Sequence, residues 1–144
     1  MGQSVLLVDD DADVRAMLGD FLTQHGFVVH CARDGRHALQ VLAKIEAPDL
    51  ILLDYNMPVM NGSQFLARKR WTPRLRGIPV VMLSAWTREW SVSRVDAAEV
   101  LSKPVDLDRL LALATGICNG SWHLRITARG AGPLARAARL AVRL

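Results

Sequence analysis

Five side chains able to do chemistry stand where short apolar runs give out. Asp9 and Asp10 follow Val5-Leu-Leu-Val8, and Asp54 follows Leu50-Ile-Leu-Leu53. Ser84 follows Val80-Val-Met-Leu83, and Lys103 comes just after Val100-Leu101. Three carboxylates sharing one crevice repel one another, so their joint ionisation is suppressed unless a cation relieves it. Mg²⁺ suits such a cluster, because it binds through a few carboxylates and keeps waters that a phosphate can displace. A hydroxyl and a mobile ammonium beside the acids complete a site for phosphoryl transfer. There Asp54 can act as the nucleophile and form an aspartyl phosphate, while positive charge neutralises the phosphoryl oxygens. Taken singly, each residue has a duller role: Asp11 or Asp13 as a helix cap, Ser84 as a turn residue, Lys103 as surface charge. Their joint placement is what argues for a site, and it depends on the elements that carry them.

Four consecutive apolar residues, Leu50 to Leu53, bounded by Pro48 and a polar turn, are too few for a helix. They read as a strand buried on both faces, as in the middle of a parallel sheet. Ser4 to about Val8, Phe27 to Ala32, Pro79 to Ser84 and Glu99 to Ser102 read as four more strands. Helical spacing of Val14, Met17, Leu18, Phe21 and Leu22 marks a helix from Ala12 to about His25, closed by Gly26. Ala38, Leu39, Val41, Leu42 and Ile45 mark a second helix after an Asp34-Gly35 turn. A third runs from about Gly62, opened by Asn61-Gly62, to Arg70, and a last one from Leu107 to about Cys118. Trp71 to Gly77 reads as an Arg-rich connection, and residues 87–98 as a short helix or irregular loop.

This alternation predicts an α/β chain: a doubly wound, five-stranded parallel sheet with right-handed crossovers. At this size the expected strand order is 2-1-3-4-5, flavodoxin-like, which sets the ends of the first and third strands side by side at the switch point. Asp9 and Asp10 would meet Asp54 there.

At 144 residues the chain is long enough to bury a substantial core. Two cysteines suggest no disulfide framework, and Cys31, in an apolar run, reads as a small core residue. No apolar run approaches the roughly 18 residues of a membrane span, and acids come too early for a signal peptide. A cytoplasmic location is therefore expected. The net charge of +4 divides unevenly. Residues 1–118 hold 13 Lys and Arg against 14 Asp and Glu, whereas residues 119–144 hold five Arg and no acid. We expect one domain over 1–118 and a basic, flexible tail over 119–144.

Together these motifs resemble the receiver domain of two-component response regulators, over about residues 3–118. Val8-Asp9-Asp10-Asp11 resembles its acidic motif, and Leu53-Asp54-Tyr55-Asn56-Met57-Pro58 with Asn61-Gly62 its phosphoacceptor motif. Leu83-Ser84-Ala85 and Ser102-Lys103-Pro104 resemble its hydroxyl and lysine motifs. The resemblance implies that Asp54 accepts phosphate from a sensor histidine kinase or histidine phosphotransfer protein. It also implies that Asp10 ligates Mg²⁺ directly and Asp9 mostly through water, with Asn56 lending its backbone carbonyl. Ser84 and Lys103 would bind the phosphoryl oxygens, and the Lys103-Pro104 bond would be cis.

Three features depart from the family pattern. Val100 stands where a switching Tyr or Phe is usual. The interval from Ser84 to Lys103 is short, so the fourth helix should be shortened, with Trp86 and Trp90 on one face as core or as a partner anchor. No output domain follows, so a stand-alone receiver is expected that signals by protein contact or phosphorelay to a downstream protein. A DNA-binding regulator using the basic tail ranks below this, because no helix-turn-helix pattern is present. An aspartyl-phosphate phosphatase ranks lower still, since Asn56 stands where haloacid-dehalogenase-like enzymes carry a second Asp.

Overall fold

A computed structural model describes residues 2–85 and 97–120. The expected fourth helix, Trp86 and Trp90, and nearly all of the basic tail lie outside the described residues. The chain divides into two compact units, residues 1–105 and 106–144.

The first unit is built on five parallel strands: β1 (Ser4–Val8), β2 (Val28–Ala32), β3 (Leu50–Asp54), β4 (Val80–Ser84) and β5 (Glu99–Ser102). Their order is β2-β1-β3-β4-β5, as the alternation predicts. All five residues of β3 and of β4 are buried, because both strands are interior and covered on both faces. Side-chain alternation sends Leu6, Val8, Ile51, Leu53, Val80 and Met82 into one core cluster. There they meet Ala38 and Leu42 of α2 (Gly35–Leu42) and Phe65 and Leu66 of α3 (Gly62–Arg70). The other face carries Val5, Leu7, Leu50, Leu52, Val81 and Leu83, all fully buried. On that side α1 (Ala12–Gln24) packs against β1 and β2 and buries Leu18 and Leu22.

Helix starts are fixed by side chains. Asp11 accepts from the backbone N–H groups of Asp13 and Val14, and Asp34 accepts from that of His37. Asn61 and Gln64 form a reciprocal capping box at the start of α3. Asp34-Gly35 is therefore more than a turn: the helix begins at Gly35 itself.

Three sequence expectations need correction. Cys31 is exposed and not in the core, because β2 is an edge strand and only Ala32 of its five residues is buried. Desolvation by the surrounding protein still raises its thiol pKa, against the opposing charge of Arg15. Met17 is half exposed, so the α1 stripe is narrower than its apolar residues suggest. The Arg-rich connection contains a helical turn, α4 (Pro73–Arg76), with Pro73 at its first position. Its corner is pinned from within: buried Lys69 donates to the Arg76 carbonyl at 3.0 Å. Arg74 donates to the Leu42 carbonyl at 2.7 Å and also to that of Ile45, capping the end of α2.

The second unit contains α5 (Leu107–Cys118), capped by Asp106, with Leu110, Ala114, Gly116 and Ile117 buried. Among the described residues, no helix is long and apolar enough to cross a membrane.

Candidate phosphoryl-transfer site

The sheet ladder continues one residue beyond several strand ends and thereby sets the site. Asp9 N–H donates to the Ala32 carbonyl at 3.1 Å, and Tyr55 N–H to that of Leu83 at 3.1 Å. Lys103 N–H donates to the Ser84 carbonyl at 2.9 Å. Asp9, Asp54, Ser84 and Lys103 are thus delivered to one edge of the sheet by hydrogen bonds that their neighbours make.

At that edge Asp9, Asp10 and Asp54 each present a carboxylate oxygen within 4.8 Å of the others. Asp9 and Asp54 are buried, and Asp10 is exposed. The Lys103 ammonium bridges the buried pair, 2.9 Å from Asp9 Oδ2 and 3.2 Å from Asp54 Oδ1. Asp9 Oδ1 accepts from Asp11 N–H at 2.9 Å, so both of its oxygens are engaged. Ser84 is buried at the end of β4, one position past Leu83, the β4 partner of Asp54. Asn56 is exposed, two residues beyond Asp54 on the β3–α3 loop. Val100 is half-buried on β5, opposite Met82, and the Lys103-Pro104 peptide is cis.

The electrostatics follow from crowding. Burial, followed by the charge of Asp9, pushes the Asp54 pKa up to about 7, and Lys103 only partly opposes this. For Lys103 burial works to lower the pKa, but the hydrogen bond and charge of Asp9, and then of Asp54, outweigh it and hold the pKa above its ordinary value. One ammonium therefore serves carboxylates whose combined charge it does not balance. A buried, electron-rich Asp54 in this setting can serve as a nucleophile once further positive charge arrives. The donor set is all oxygen, which fits a hard divalent cation.

The structure brings together Asp9, Asp10, Asp54 and Lys103, which the sequence placed at one crevice, and it adds two supports that the sequence did not show. Arg15 Nη1 donates to the Asp9 carbonyl at 2.6 Å, so α1 holds the acidic turn in place. Gly62 lies against the phosphoacceptor turn: a Cβ there would fall 3.0 Å from Tyr55 Cα and 3.1 Å from the Asp54 carbonyl oxygen. The Asn61-Gly62 pair signals a turn, but only the close approach shows why a side chain is excluded.

A family model, the response regulator receiver domain, matches residues 5–115. The chain belongs to the response regulator receiver family. This receiver is 33% identical over 112 residues to a probable chemotaxis protein CheY of Rhizobium etli, covering 75% of this chain and 86% of that one. It is 38% identical over 109 residues to the regulatory protein AtoC of Escherichia coli, covering 74% of this chain but 23% of AtoC. Among solved structures, the chemotaxis response regulator CheY4 of Vibrio cholerae superimposes with a TM-score of 0.74 at 32% identity. That match covers 81% of this chain and 99% of CheY4. The flavodoxin-like order and the two-component signalling class are therefore established for this receiver.

Proposed function

We propose that the chain is a phosphorylation switch in which Asp54 accepts a phosphoryl group from a histidine kinase or a histidine phosphotransfer protein. The Asp54 carboxylate attacks phosphorus, the P–N bond to the donor imidazole breaks, and the leaving ring takes a proton from solvent. The observation that carries this reading is the Lys103 ammonium lying between buried Asp9 and buried Asp54, beside exposed Asp10. Lys103 can follow the new charge on the phosphoryl oxygens, because it reaches Asp54 already. Ser84 would donate its hydroxyl to another of those oxygens. Asp9, Asp10 and Asp54, with the Asn56 carbonyl, would hold a Mg²⁺ ion, which supplies the positive charge that one lysine cannot. The phosphorylated domain then acts by contact with a downstream protein or passes the group on in a relay, without catalytic turnover of its own.

The test is mass spectrometry of the full chain after incubation with acetyl phosphate and Mg²⁺. One phosphoryl group is expected on the wild type and none on Asp54→Asn. Equal labelling of the variant refutes the assignment.

A further inference from the structure

We propose that the cleft between the start of α2 and the β3–α3 loop binds a small phosphate monoester, held by Arg33, Arg36 and His37. The cleft has a volume of about 220 Å³ and is lined by Arg33, Asp34, Arg36, His37, Gln40 and Val59. That is smaller than the usual range of roughly 300–1,000 Å³ for ligand pockets, so it admits a phosphate and a short carbon chain and little more.

The donors are side chains, not the end of a helix. Two of the first three backbone N–H groups of α2 are already engaged: Gly35 donates to the Met60 carbonyl at 3.1 Å and His37 to Asp34 Oδ1 at 2.8 Å. His37 Nδ1 in turn accepts from Arg33 N–H at 3.1 Å. A neutral ring held this way carries its proton on Nε2, which leaves that nitrogen as a donor. The Gln40 amide and two guanidinium groups add further donors. One guanidinium fork satisfies a planar carboxylate, whereas two forks and a third donor match the three oxygens of a phosphate dianion. Asp34 is the one acid in the wall, and its charge is spoken for. It is buried, its Oδ1 caps α2, and its Oδ2 lies 3.9 Å from Arg33 Nε. The lining keeps an excess of positive charge.

The opposite lip points the same way. Val59 is 71% exposed and has a φ of +68°, a conformation that β-branched residues rarely adopt. Such strain persists where the surroundings over-determine it, and it gathers at ligand clamps. Here Met60 fixes the lip, its N–H donating to the Pro58 carbonyl at 2.7 Å and its carbonyl accepting from Gly35. An exposed isopropyl group beside four cationic or donor side chains suits the ester carbon of the ligand. The site uses none of the residues assigned to phosphoryl transfer.

The experiment is a titration of the full chain with methyl phosphate at pH 8 and constant ionic strength, in EDTA so that no metal contributes. It follows the His37 imidazole resonances by NMR. Expected are a saturable His37 shift, at least tenfold weaker binding in Arg33→Ala/Arg36→Ala, and unchanged binding in Asp54→Asn. Arg36→Gln, a single exposed change, should weaken binding in the same direction and guards against misfolding of the double variant. Acetate should bind at least tenfold more weakly than methyl phosphate. The absence of saturation, equal affinity in the arginine variants, equal affinity for acetate, or loss of binding in Asp54→Asn would each overturn the proposal.

Discussion

Replacing Asp54 by Asn should stabilise the metal-free protein, and by an amount that depends on pH. The Asp54 pKa rises from 3.8 to about 7 on folding. The folded chain therefore holds a proton between those values that the unfolded chain releases. Stability falls with rising pH wherever the native state binds more protons, so ionising Asp54 costs stability from about pH 4 to about pH 7 and the cost is constant above. Three units at about 1.4 kcal/mol each set a ceiling of about 4 kcal/mol. The Lys103 side chain is 25% exposed and can shift toward Asp54, and water can enter beside exposed Asp10, so about half should survive relaxation. Asn is nearly isosteric with the protonated acid and never ionises. The variant should thus gain about 2 kcal/mol at pH 8, or about 6 °C in melting temperature for a chain of this size. The gain should shrink by more than half at pH 5 and vanish near pH 4. Thermal melts of both proteins in EDTA at the three pH values measure it. Mg²⁺ should then raise the wild-type melting temperature at pH 8 more than that of the variant. Equal melting temperatures at pH 8, or a gain that ignores pH, would refute the account of crowded carboxylates.

Three further outcomes are expected. Asp10→Ala should largely abolish labelling by acetyl phosphate in Mg²⁺ while leaving the melting temperature of the EDTA-treated protein within a few degrees, since Asp10 is exposed; normal labelling would remove it from the metal set. Gly62→Ala should cost about 1–3 kcal/mol in urea unfolding, the usual range for an overpacked site, because the new Cβ presses on the Asp54-Tyr55 backbone; no loss would mean that the loop gives way freely. A chain ending at Cys118 should fold and accept phosphate like the full chain, because every described buried hydrophobic residue lies between Val5 and Ile117; insolubility of the shorter chain would show that the basic tail packs.

What the sequence made legible was the interior. Leu50–Leu53 read as a doubly buried strand and Pro79 to Ser84 as a strand because their apolar runs have no polar face to mislead, and β3 and β4 proved buried throughout. The convergence of Asp9, Asp54 and Lys103 was legible because parallel strands deliver their last residues to one edge. The margins were harder. Cys31 sits in an apolar run, but that run forms β2, the edge strand of the expected order, and composition alone does not mark which of its side chains stay exposed. The α4 turn was hidden among arginines that pattern reading treats as solvated, whereas Arg74 spends its guanidinium on the end of α2. Val59 gave no signal, because its left-handed backbone is imposed by contacts and no local preference favours it.

The strand order also governs when the sheet can form. β1 is synthesised first yet lies inside, paired with β2 along one edge and β3 along the other. No pairing in this sheet is local: Ser4 meets Val28, Val5 meets Leu50, and the shortest step, Val81 to Glu99, still spans a crossover. A nascent chain can close β1 on β2 once Ala32 has left the ribosome, but the other edge of β1 stays open until β3 follows. During that interval an apolar strand offers unpaired N–H and C=O groups to any extended segment nearby, the condition under which chains pair wrongly. Pulsed hydrogen exchange during refolding should therefore find the β1 and β3 amides protected together, no earlier than those of β2. Early protection of β4 and β5 ahead of β1 would reverse this order of assembly.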